Sequence, residues 1–342
     1  MKILNIMLSR DLGGIQQAFL DYNKFIESSG NVAISVTATG AKINAAISSD
    51  FKLPNLLSFD PFSILALRRI IKTEKPEIII AHGKRAINFA LYARMFLKHK
   101  VVVIGVAHNY WYKPLLKCDY IFSITQHLKE FLVVKGAGDE KIFVMPNVID
   151  INSYKFSDKK PSKTIRIGVL ARLIHKKGVD VFIKALSLLK HDKIQFKATI
   201  GGSGEDLEAL KKLAKDLDVE IDFAGWVQDK DKFFKNIDIL CLPSRHEPFG
   251  IILLEAALSK TAIITTRSEG PVEIFTDKKE ARFVDIESPE QIAENIIYLS
   301  ENENELKKLA ESAFLRVTQN YDIKSSAERL KKIIKIIQKH VI

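Results

Sequence analysis

The chain has 342 residues, more than one typical hydrophobic core accommodates, which predicts two domains of roughly 150 residues each. Hydrophobic residues make up 47% of the chain and charged residues 27%, a composition that excludes wholesale disorder. The longest apolar run, 101–107, is far shorter than the roughly 18 residues that a membrane-spanning helix needs. The two cysteines, Cys118 and Cys241, fall in different predicted domains, so we expect no disulfide framework and a reducing, cytoplasmic setting.

The net charge of +11 is spread unevenly along the chain. Residues 1–160 hold 22 Lys+Arg against 13 Asp+Glu, which leaves 30 against 28 for the rest. This excess predicts an anionic partner for the N-terminal half: a phospholipid surface, a phosphorylated acceptor or a nucleic acid. The sequence has no evident basic platform interleaved with aromatic residues, so we expect no nucleic-acid binding.

In the first half, apolar β-branched runs alternate with segments long enough for crossover helices. This pattern predicts a doubly wound α/β fold with buried parallel strands. Residues 1–8 fit a first strand better than a signal peptide, because Asn5 interrupts the apolar run and no cleavage site follows. The predicted strands are 3–8, 32–38, 78–81, 101–107, 120–124 and 142–145, and the predicted helices are 14–29, 62–73, 84–97 and 126–135.

A polar, proline-containing segment at 157–163 predicts an exposed linker, after which the same pattern restarts. We therefore expect domains at 1–160 and 161–320, followed by a C-terminal helix at 321–342. The predicted strands of the second half are 165–170, 196–200, 220–223, 237–242, 262–265 and 282–285. The predicted helices are 178–190, 205–217, 229–235, 249–259, 289–300, 303–318 and 323–340.

Residues 243–257 place Glu247 and Glu255 eight residues apart around the start of a predicted helix. A strand, a tight loop and a helix bring free backbone N–H groups, here those of Gly250 and Ile251, to the sheet edge where phosphates bind. For Glu247, a plain dipole-compensating role is an equal alternative. Glu255 lies among apolar residues, and a buried carboxylate requires hydrogen-bond donors. The combination favours a binding site.

The loop 171–178 supplies Arg172 and Lys177 directly after a predicted strand. A guanidinium chelates two phosphate oxygens and an ammonium adds a point charge, which suits a leaving diphosphate. A solvated basic loop is the alternative. The nearby run 201–204 does not complete Gly-x-Gly-x-x-Gly, since Leu207 occupies the last position, and this disfavours a nicotinamide site.

Two Asp-x-Asp patterns, at 216–218 and 229–231, match a loose motif that can hold a divalent metal ion. Both lie among lysines, and we interpret them as solvated surfaces. Because Arg172 and Lys177 supply the positive charge that a metal would provide, we predict neither a metal nor another cofactor.

Four residues of the N-terminal half are candidates because of their place at strand ends. Gly13 and Gly14 follow the first strand, where the lack of a Cβ lets the backbone approach a ligand, although a simple turn is the alternative. His82 and His108 end two other strands and therefore lie at the carboxyl edge. For His82, a structural histidine with satisfied hydrogen bonds is an equal alternative.

The pair Glu247 and Glu255, preceded by Pro-Ser-Arg and interrupted by Pro-Phe-Gly, resembles the signature of retaining GT-B glycosyltransferases of family GT4, the glycosyl transferases group 1. Arg-Leu followed by Lys-Gly at 172–178 and the turn at 269–273 resemble further motifs of this family. Two positions depart from it: Ala171 stands where glycine is common, and Val148 replaces the glycine of Asn-Gly-Val-Asp.

The resemblance implies a GT-B fold, in which two Rossmann-like doubly wound domains face each other across a cleft. The C-terminal domain would hold a nucleotide diphosphate sugar, the N-terminal domain would receive the acceptor, and the C-terminal helix would brace the N-terminal domain. The implied catalytic residues are Arg172, Lys177, Glu247 and His108. The implied donor-binding residues are Gly13, Gly14, Gly202, Gly204, Phe249, Gly250, Ile251 and Glu255.

We expect hexosyl transfer to a glycan or glycolipid acceptor, in lipopolysaccharide, lipid-linked or other cell-surface glycan synthesis. The basic N-terminal domain would contact an anionic membrane peripherally at its inner, cytoplasmic face. A sugar-nucleotide epimerase of similar two-domain shape is the main alternative, and a basic nucleic-acid-binding protein is a weaker one.

Overall fold

A computed structural model of the chain describes residues 1–10, 13–57, 59–95, 97–154 and 164–341. The predicted linker at 157–163 lies outside the described residues. The chain divides into two compact units: a first unit formed by Met1–Ile149 and Tyr321–Ile342, and a second unit formed by Asp150–Asn320. Among the helices of the described ranges, none is both long enough and apolar enough to cross a membrane.

The first unit is built on a seven-stranded parallel sheet. Its strands are β1 (Lys2–Met7), β2 (Val32–Ala38), β3 (Phe51–Leu53), β4 (Ile78–His82), β5 (Val102–Ala107), β6 (Tyr120–Ser123) and β7 (Ile142–Val144). Its helices are α1 (Gly14–Ser28), α2 (Pro61–Glu74), α3 (Gly83–Arg94), α4 (Gln126–Val134) and, from the end of the chain, α12 (Ile323–Val341). The strand order is β3-β2-β1-β4-β5-β6-β7, so the order reverses between β1 and β4.

The second unit repeats this design with six parallel strands. They are β8 (Ile165–Leu170), β9 (Phe196–Gly201), β10 (Asp222–Gly225), β11 (Ile239–Leu242), β12 (Ala262–Thr266) and β13 (Arg282–Val284). The helices are α5 (Val179–His191), α6 (Leu207–Asp216), α7 (Lys230–Lys235), α8 (Ile251–Leu258), α9 (Pro271–Ile274), α10 (Pro289–Glu301) and α11 (Glu303–Asn320). The order β10-β9-β8-β11-β12-β13 reverses between β8 and β11.

The predicted fold class, two doubly wound parallel sheets, is confirmed. Each predicted strand is present within a few residues of its expected bounds. The strand β3, which pairs with β2, was not predicted because three residues are too short to show a strand pattern. The single-turn helix α9 was not predicted either.

The helix α12 closes the core of the first unit. Its buried residues Ala327, Leu330 and Ile334 follow a helical spacing and pack in the same core cluster as Tyr22 and Phe25 of α1. The helix α12 therefore belongs to the same hydrophobic core as the strands β1, β4 and β5.

Candidate active site

The loops after β8 and β11 carry the predicted acidic and basic residues of the second unit. These strands are neighbours, and the strand order reverses between them, so their loops diverge at the carboxyl edge of the sheet. Ligands of doubly wound folds bind in the crevice at this point. The first loop contains Arg172 and Lys177, and the second contains Glu247.

Arg245 ties the two loops together. Its backbone N–H donates to the carbonyl of Lys176 at 2.9 Å, and its guanidinium donates to the carbonyl of His175 at 2.6 Å. The same guanidinium binds both carboxylate oxygens of Asp180 at 2.8 Å and also pairs with Glu287. The hydrogen bond to Asp180 raises the pKa of Arg245 above its usual range, so this cation keeps its charge.

Lys177 and Glu247 contact each other directly. The ammonium nitrogen lies 2.6 Å from Oε2 of Glu247, and both side chains are largely buried. The backbone of Glu247 is held on both sides: its N–H donates to Glu269 at 3.2 Å, and its carbonyl accepts from Gly270 at 2.8 Å. The structure thus brings the predicted diphosphate-binding cation Lys177 and the predicted catalytic carboxylate Glu247 into direct contact.

Arg172 has different surroundings, because its side chain is exposed while its loop is packed tightly against the glycine loop after β9. A Cβ on Gly202 would lie 1.8 Å from the carbonyl oxygen of Ala171, and one on Gly204 would lie 2.0 Å from that of Leu173. At both glycines the loop after β9 packs closely on the loop after β8, and this packing supports the backbone of the loop that carries Arg172. Their contact with a donor stays a prediction.

Glu255 is buried in α8, and only one of its two carboxylate oxygens accepts hydrogen bonds from the described residues. Its Oε1 accepts from the hydroxyl of Tyr154 at 2.9 Å and from the ammonium of Lys230 at 2.6 Å. Its Oε2 is buried without a hydrogen-bond partner among the described residues. The carboxylate is therefore held through one oxygen, while the other oxygen has no donor among the described residues.

Sequence reasoning missed Tyr154 and Lys230. Lys230 belongs to a predicted Asp-x-Asp pattern, in which Asp229 is the N-cap of α7 and accepts from the N–H of Lys232 at 2.9 Å. The predicted helix 229–235 already placed Lys230 in a first turn, but the interpretation of this segment as a solvated surface missed its contact with Glu255. No local signal connects Tyr154 with Glu255, since 101 positions separate them in the chain.

The start of α8 has the geometry that the sequence predicted. Gly250 is its N-cap in the left-handed region, with φ 95°, and Ile251 is the first helical residue, so their N–H groups open the helix. Phe249 is buried beneath this turn, where a Cβ on Gly270 would come within 2.3 Å of its Cα. Phe249 therefore supports the turn from the protein interior.

In the first unit, a polar chain runs across three neighbouring strands. Nε2 of His82 lies 2.9 Å from Oδ1 of Asn5, and Nδ1 of His82 lies 2.9 Å from Nε2 of His108. The amide nitrogen of Asn5 donates to the backbone carbonyl of Phe19 at 3.1 Å, which fixes the amide orientation. The predicted histidines are thus brought together, and Asn5, noted only as an interruption of an apolar strand, joins them.

The directions of these hydrogen bonds determine both imidazole tautomers. Because Oδ1 of Asn5 accepts, His82 carries its proton on Nε2, and its Nδ1 must accept from Nε2–H of His108. His108 then presents a lone pair on Nδ1. Burial lowers the pKa of His108 to about 4, and burial followed by the neighbouring His108 lowers that of His82, so both are neutral at pH 7.

Gly13 and Gly14 lie between β1 and α1, at the point of the first sheet where the strand order reverses. Gly13 has an extended backbone with φ 171°, and its carbonyl accepts from the N–H groups of Gln16 and Gln17 as the helix begins. The structure shows a strand-to-helix turn at this place, and a ligand contact stays a prediction.

Two protein families match consecutive parts of the chain. The family described as Glycosyltransferase Family 4 matches residues 32–153, and the family described as Glycosyl transferases group 1 matches residues 150–316. An uncharacterized glycosyltransferase of Methanocaldococcus jannaschii is 31% identical over 229 residues, which cover 64% of this chain and 58% of that protein. The lipopolysaccharide core biosynthesis glycosyltransferase LpsE of Rhizobium meliloti is 33% identical over 144 residues, 42% of this chain and 41% of LpsE. This chain thus spans about half the length of these two relatives.

Another relative is matched more completely. The N,N'-diacetylbacillosaminyl-diphospho-undecaprenol alpha-1,3-N-acetylgalactosaminyltransferase of Campylobacter jejuni is 30% identical over 262 residues, which cover 71% of this chain and 67% of that enzyme.

Solved structures share the fold over nearly the whole chain. A glycosyltransferase from Rickettsia africae superposes with a TM-score of 0.86 at 20% identity, over 99% of this chain and 98% of that one. HepE from Anabaena, solved in complex with UDP and glucose, superposes with a TM-score of 0.83 at 17% identity, over 98% and 99%. The matched families, the relative from Campylobacter and the shared fold show that the chain belongs to the GT-B glycosyltransferases.

Proposed function

We propose that the chain is a retaining glycosyltransferase of family GT4 that transfers a hexosyl-type sugar from a nucleotide diphosphate sugar to an acceptor hydroxyl. The observation that carries this proposal is the buried Oε2 of Glu255 in α8, which has no hydrogen-bond donor among the described residues. A buried carboxylate oxygen without a donor costs free energy, and the ribose hydroxyls of a nucleotide are suitable donors. UDP in HepE and the sugar transfer named for the Campylobacter relative support this class of donor.

The loops around Glu255 supply the other parts of a donor site. Arg172, Lys177 and the N–H groups of Gly250 and Ile251 would bind the diphosphate and stabilise the negative charge that grows as the nucleotide leaves. Because Glu247 pairs with Lys177, a phosphate bound at Lys177 would bring the attached sugar close to that carboxylate. Glu247 would then bind the sugar, and the departing phosphate would take the acceptor proton during same-face attack.

Catalysis in this proposal needs no metal ion, because the cations of the loop after β8 neutralise the leaving group. We expect activity to survive EDTA at concentrations that strip divalent ions. Complete loss of activity with EDTA and its rescue by Mn²⁺ would contradict metal independence.

The proposed acceptor is a lipid-linked or lipopolysaccharide-type glycan, met by the basic first unit at the cytoplasmic face of a membrane. The names of LpsE and of the Campylobacter transferase support this acceptor class. Nucleic acid is not a proposed partner. A sugar-nucleotide epimerase would change the donor without any acceptor, so product analysis separates the two reactions; the transferases among the relatives favour transfer.

The test is a thermal-shift screen of the full chain against UDP, GDP, ADP and CMP sugars. We expect a selective rise in melting temperature that identifies the donor. Glu255→Gln keeps the shape of the side chain but loses its charge, so it should weaken the shift and raise the donor KM roughly 10- to 100-fold, the scale of a hydrogen bond to a charged group. Glu301→Gln, at an exposed carboxylate of α10, is the control. An unchanged KM in Glu255→Gln would assign Glu255 to structure alone.

A further inference from the structure

Glu255 is a buried charge in an apolar part of the second unit. Its side chain is 1% exposed, and the residues on both sides of it in α8, 253–254 and 256–257, are buried as well. A carboxylate in such surroundings is costly unless other groups donate to it. Two side chains of the same unit donate, those of Lys230 and Tyr154, and both donate to the same oxygen, Oε1.

Lys230 is placed beside Glu255 by the start of α7. The helix begins after its N-cap Asp229, and the buried Phe233 and Phe234 hold it in the protein interior. A cation in the first turn opposes the helix dipole, so the stability of α7 does not account for Lys230. Its ion pair with Glu255 does: the lysine side chain is 41% exposed and the glutamate side chain 1%, so the ammonium balances a charge that water barely reaches.

Tyr154 restricts the rotation of the same carboxylate. The last torsion of a glutamate side chain is broad, so a carboxylate held by one flexible partner can turn. The Tyr154 hydroxyl donates at 2.9 Å to Oε1, the oxygen that the ammonium of Lys230 binds at 2.6 Å. Two donors on one oxygen hold the plane of the carboxylate. They therefore also hold the direction of Oε2, which is buried and accepts no hydrogen bond from the described residues.

We propose that Lys230 and Tyr154 are positioning residues for nucleotide binding, which hold Glu255 so that its Oε2 accepts from a ribose hydroxyl of the donor. An ionised carboxylate oxygen accepts and does not donate, so its partner is a hydroxyl and not a carbonyl or phosphate oxygen. Lys230 balances the charge that makes this hydrogen bond strong, and Tyr154 keeps its direction. The inference rests on the proposed function, because the ligand is the nucleotide of the donor.

The test compares two nucleotides that differ only in the ribose. UDP, GDP and ADP are titrated into the full chain by calorimetry, and the diphosphate that binds most tightly is compared with its dideoxy form, which lacks both ribose hydroxyls. We expect the ribonucleotide to bind roughly 10- to 100-fold more tightly, the scale of a hydrogen bond to a charged group. This ratio of the two dissociation constants, the ribose ratio, measures the contact with Oε2 alone.

Substitutions at the two positioning residues should reduce the ribose ratio. Lys230→Met should bring it close to one, as Glu255→Gln should, whereas Lys230→Arg keeps a cation and should keep most of it. Tyr154→Phe removes one neutral hydrogen bond and should lower the ratio by a smaller factor, about 2- to 10-fold. Lys232→Met, at an exposed lysine of the same helix, is the matched control and should bind both nucleotides as the unchanged chain does.

Folding of the variants is checked by thermal melting. Lys230→Met leaves a buried carboxylate without its cation and should lower the melting temperature. Tyr154→Phe changes no charge, so its ribose ratio stays measurable even if Lys230→Met does not fold. A purely structural role would weaken both nucleotides equally, so an unchanged ratio in Tyr154→Phe, or in folded Lys230→Met, overturns the inference. A chain that binds none of the three diphosphates contradicts the proposed function itself, and the inference with it.

Discussion

Arg172 and Lys177 lie five residues apart in one loop, but their side chains have different surroundings. Lys177 is largely buried and paired with Glu247, so it contributes both to a donor site and to the folded state. Arg172 is exposed, and only the backbone of its loop is packed. Substitutions at the two positions therefore separate catalysis from stability.

We expect Arg172→Ala to lower kcat by roughly 10²–10³, the scale of losing one preorganised charge-stabilising donor, with an unchanged melting temperature. Lys177→Ala should lower kcat on the same scale and also lower the melting temperature, because Glu247 is then left buried without its cation. Steady-state kinetics and thermal melting measure both effects. Lys176→Ala, at the exposed neighbouring lysine, is the matched control. Near-normal turnover in both variants would remove these residues from the proposed site.

The neutral histidine pair predicts how stability depends on pH. Burial lowers the pKa of His108 from 6.5 to about 4, so below pH 6.5 the unfolded chain binds a proton that the folded chain does not bind. Stability is therefore full above pH 6.5 and is lost as the pH falls toward 4, with a slope approaching about 1.4 kcal/mol per pH unit for one proton. His108→Gln should reduce the slope of this part of the profile in melts at several pH values, and His82, whose pKa burial also lowers, should account for the slope that remains. His191→Gln, at an exposed histidine, should keep the slope of the unchanged chain; parallel profiles for His108→Gln and the unchanged chain would contradict the assignment.

At the scale of elements, the loops after β8 and β11 are held together where glycines allow their backbones to meet. A Cβ on Gly178, which has φ +63°, would lie 2.0 Å from the carbonyl oxygen of Pro243. Gly178 follows Lys177 directly, so the contact also determines where the ammonium reaches Glu247. The approach of these two loops is therefore part of the site.

Gly178→Ala should lower the free energy of unfolding in two ways: alanine is strained in the left-handed conformation, and its methyl group collides with the backbone of the other loop. We expect the collision to add about 1–3 kcal/mol to the cost of the strain. Gly225→Ala is the matched control: Gly225 has the same φ, but nothing lies within 4 Å of its added Cβ. Chemical denaturation measures the free energy of unfolding of both variants, and the difference between them is the cost of the collision. Equal values would contradict a close contact between Gly178 and Pro243. We also expect a lower kcat in Gly178→Ala alone.

Most elements were predictable because buried parallel strands appear in sequence as continuous apolar runs bounded by polar residues. The strand β3 lacked that signal, since it has three residues at the edge of its sheet. The sequence motif predicted Glu247 and Glu255 because both lie on one loop and its helix. Tyr154 and Lys230 reach Glu255 from 101 and 25 positions away, and no local pattern records such a contact.

At the scale of the whole molecule, the chain completes the first unit only with its last helix. The apolar side of α12 fills the core formed by β1, β4, β5 and α1, although about 170 residues of the second unit lie between them in the chain. The core of the first unit is therefore complete only when α12 is packed in it, and a defect in α12 should affect that unit selectively.

Leu330→Ala should destabilise the first unit by about 2–5 kcal/mol, since the buried side chain leaves a cavity between α12 and the core. Hydrogen–deuterium exchange should then speed up in peptides from β1, β4 and α1 but not in those from β8 and β11. Ile336→Ala, at a half-exposed position of the same helix, should leave exchange nearly unchanged. Uniform acceleration across both units would contradict two separate cores.

The sequence by itself determined the two doubly wound sheets, the order of their elements and the loops that carry Arg172, Lys177, Glu247 and Glu255. These features depend on local apolar periodicity and on short motifs, which a linear chain records directly. Only the tertiary structure decided that Lys177 pairs with Glu247, that one buried oxygen of Glu255 has no donor among the described residues, and that Asn5 and His82 orient His108. These contacts join strands and loops far apart in the chain, so their geometry depends on strand order and packing and has no counterpart in local sequence.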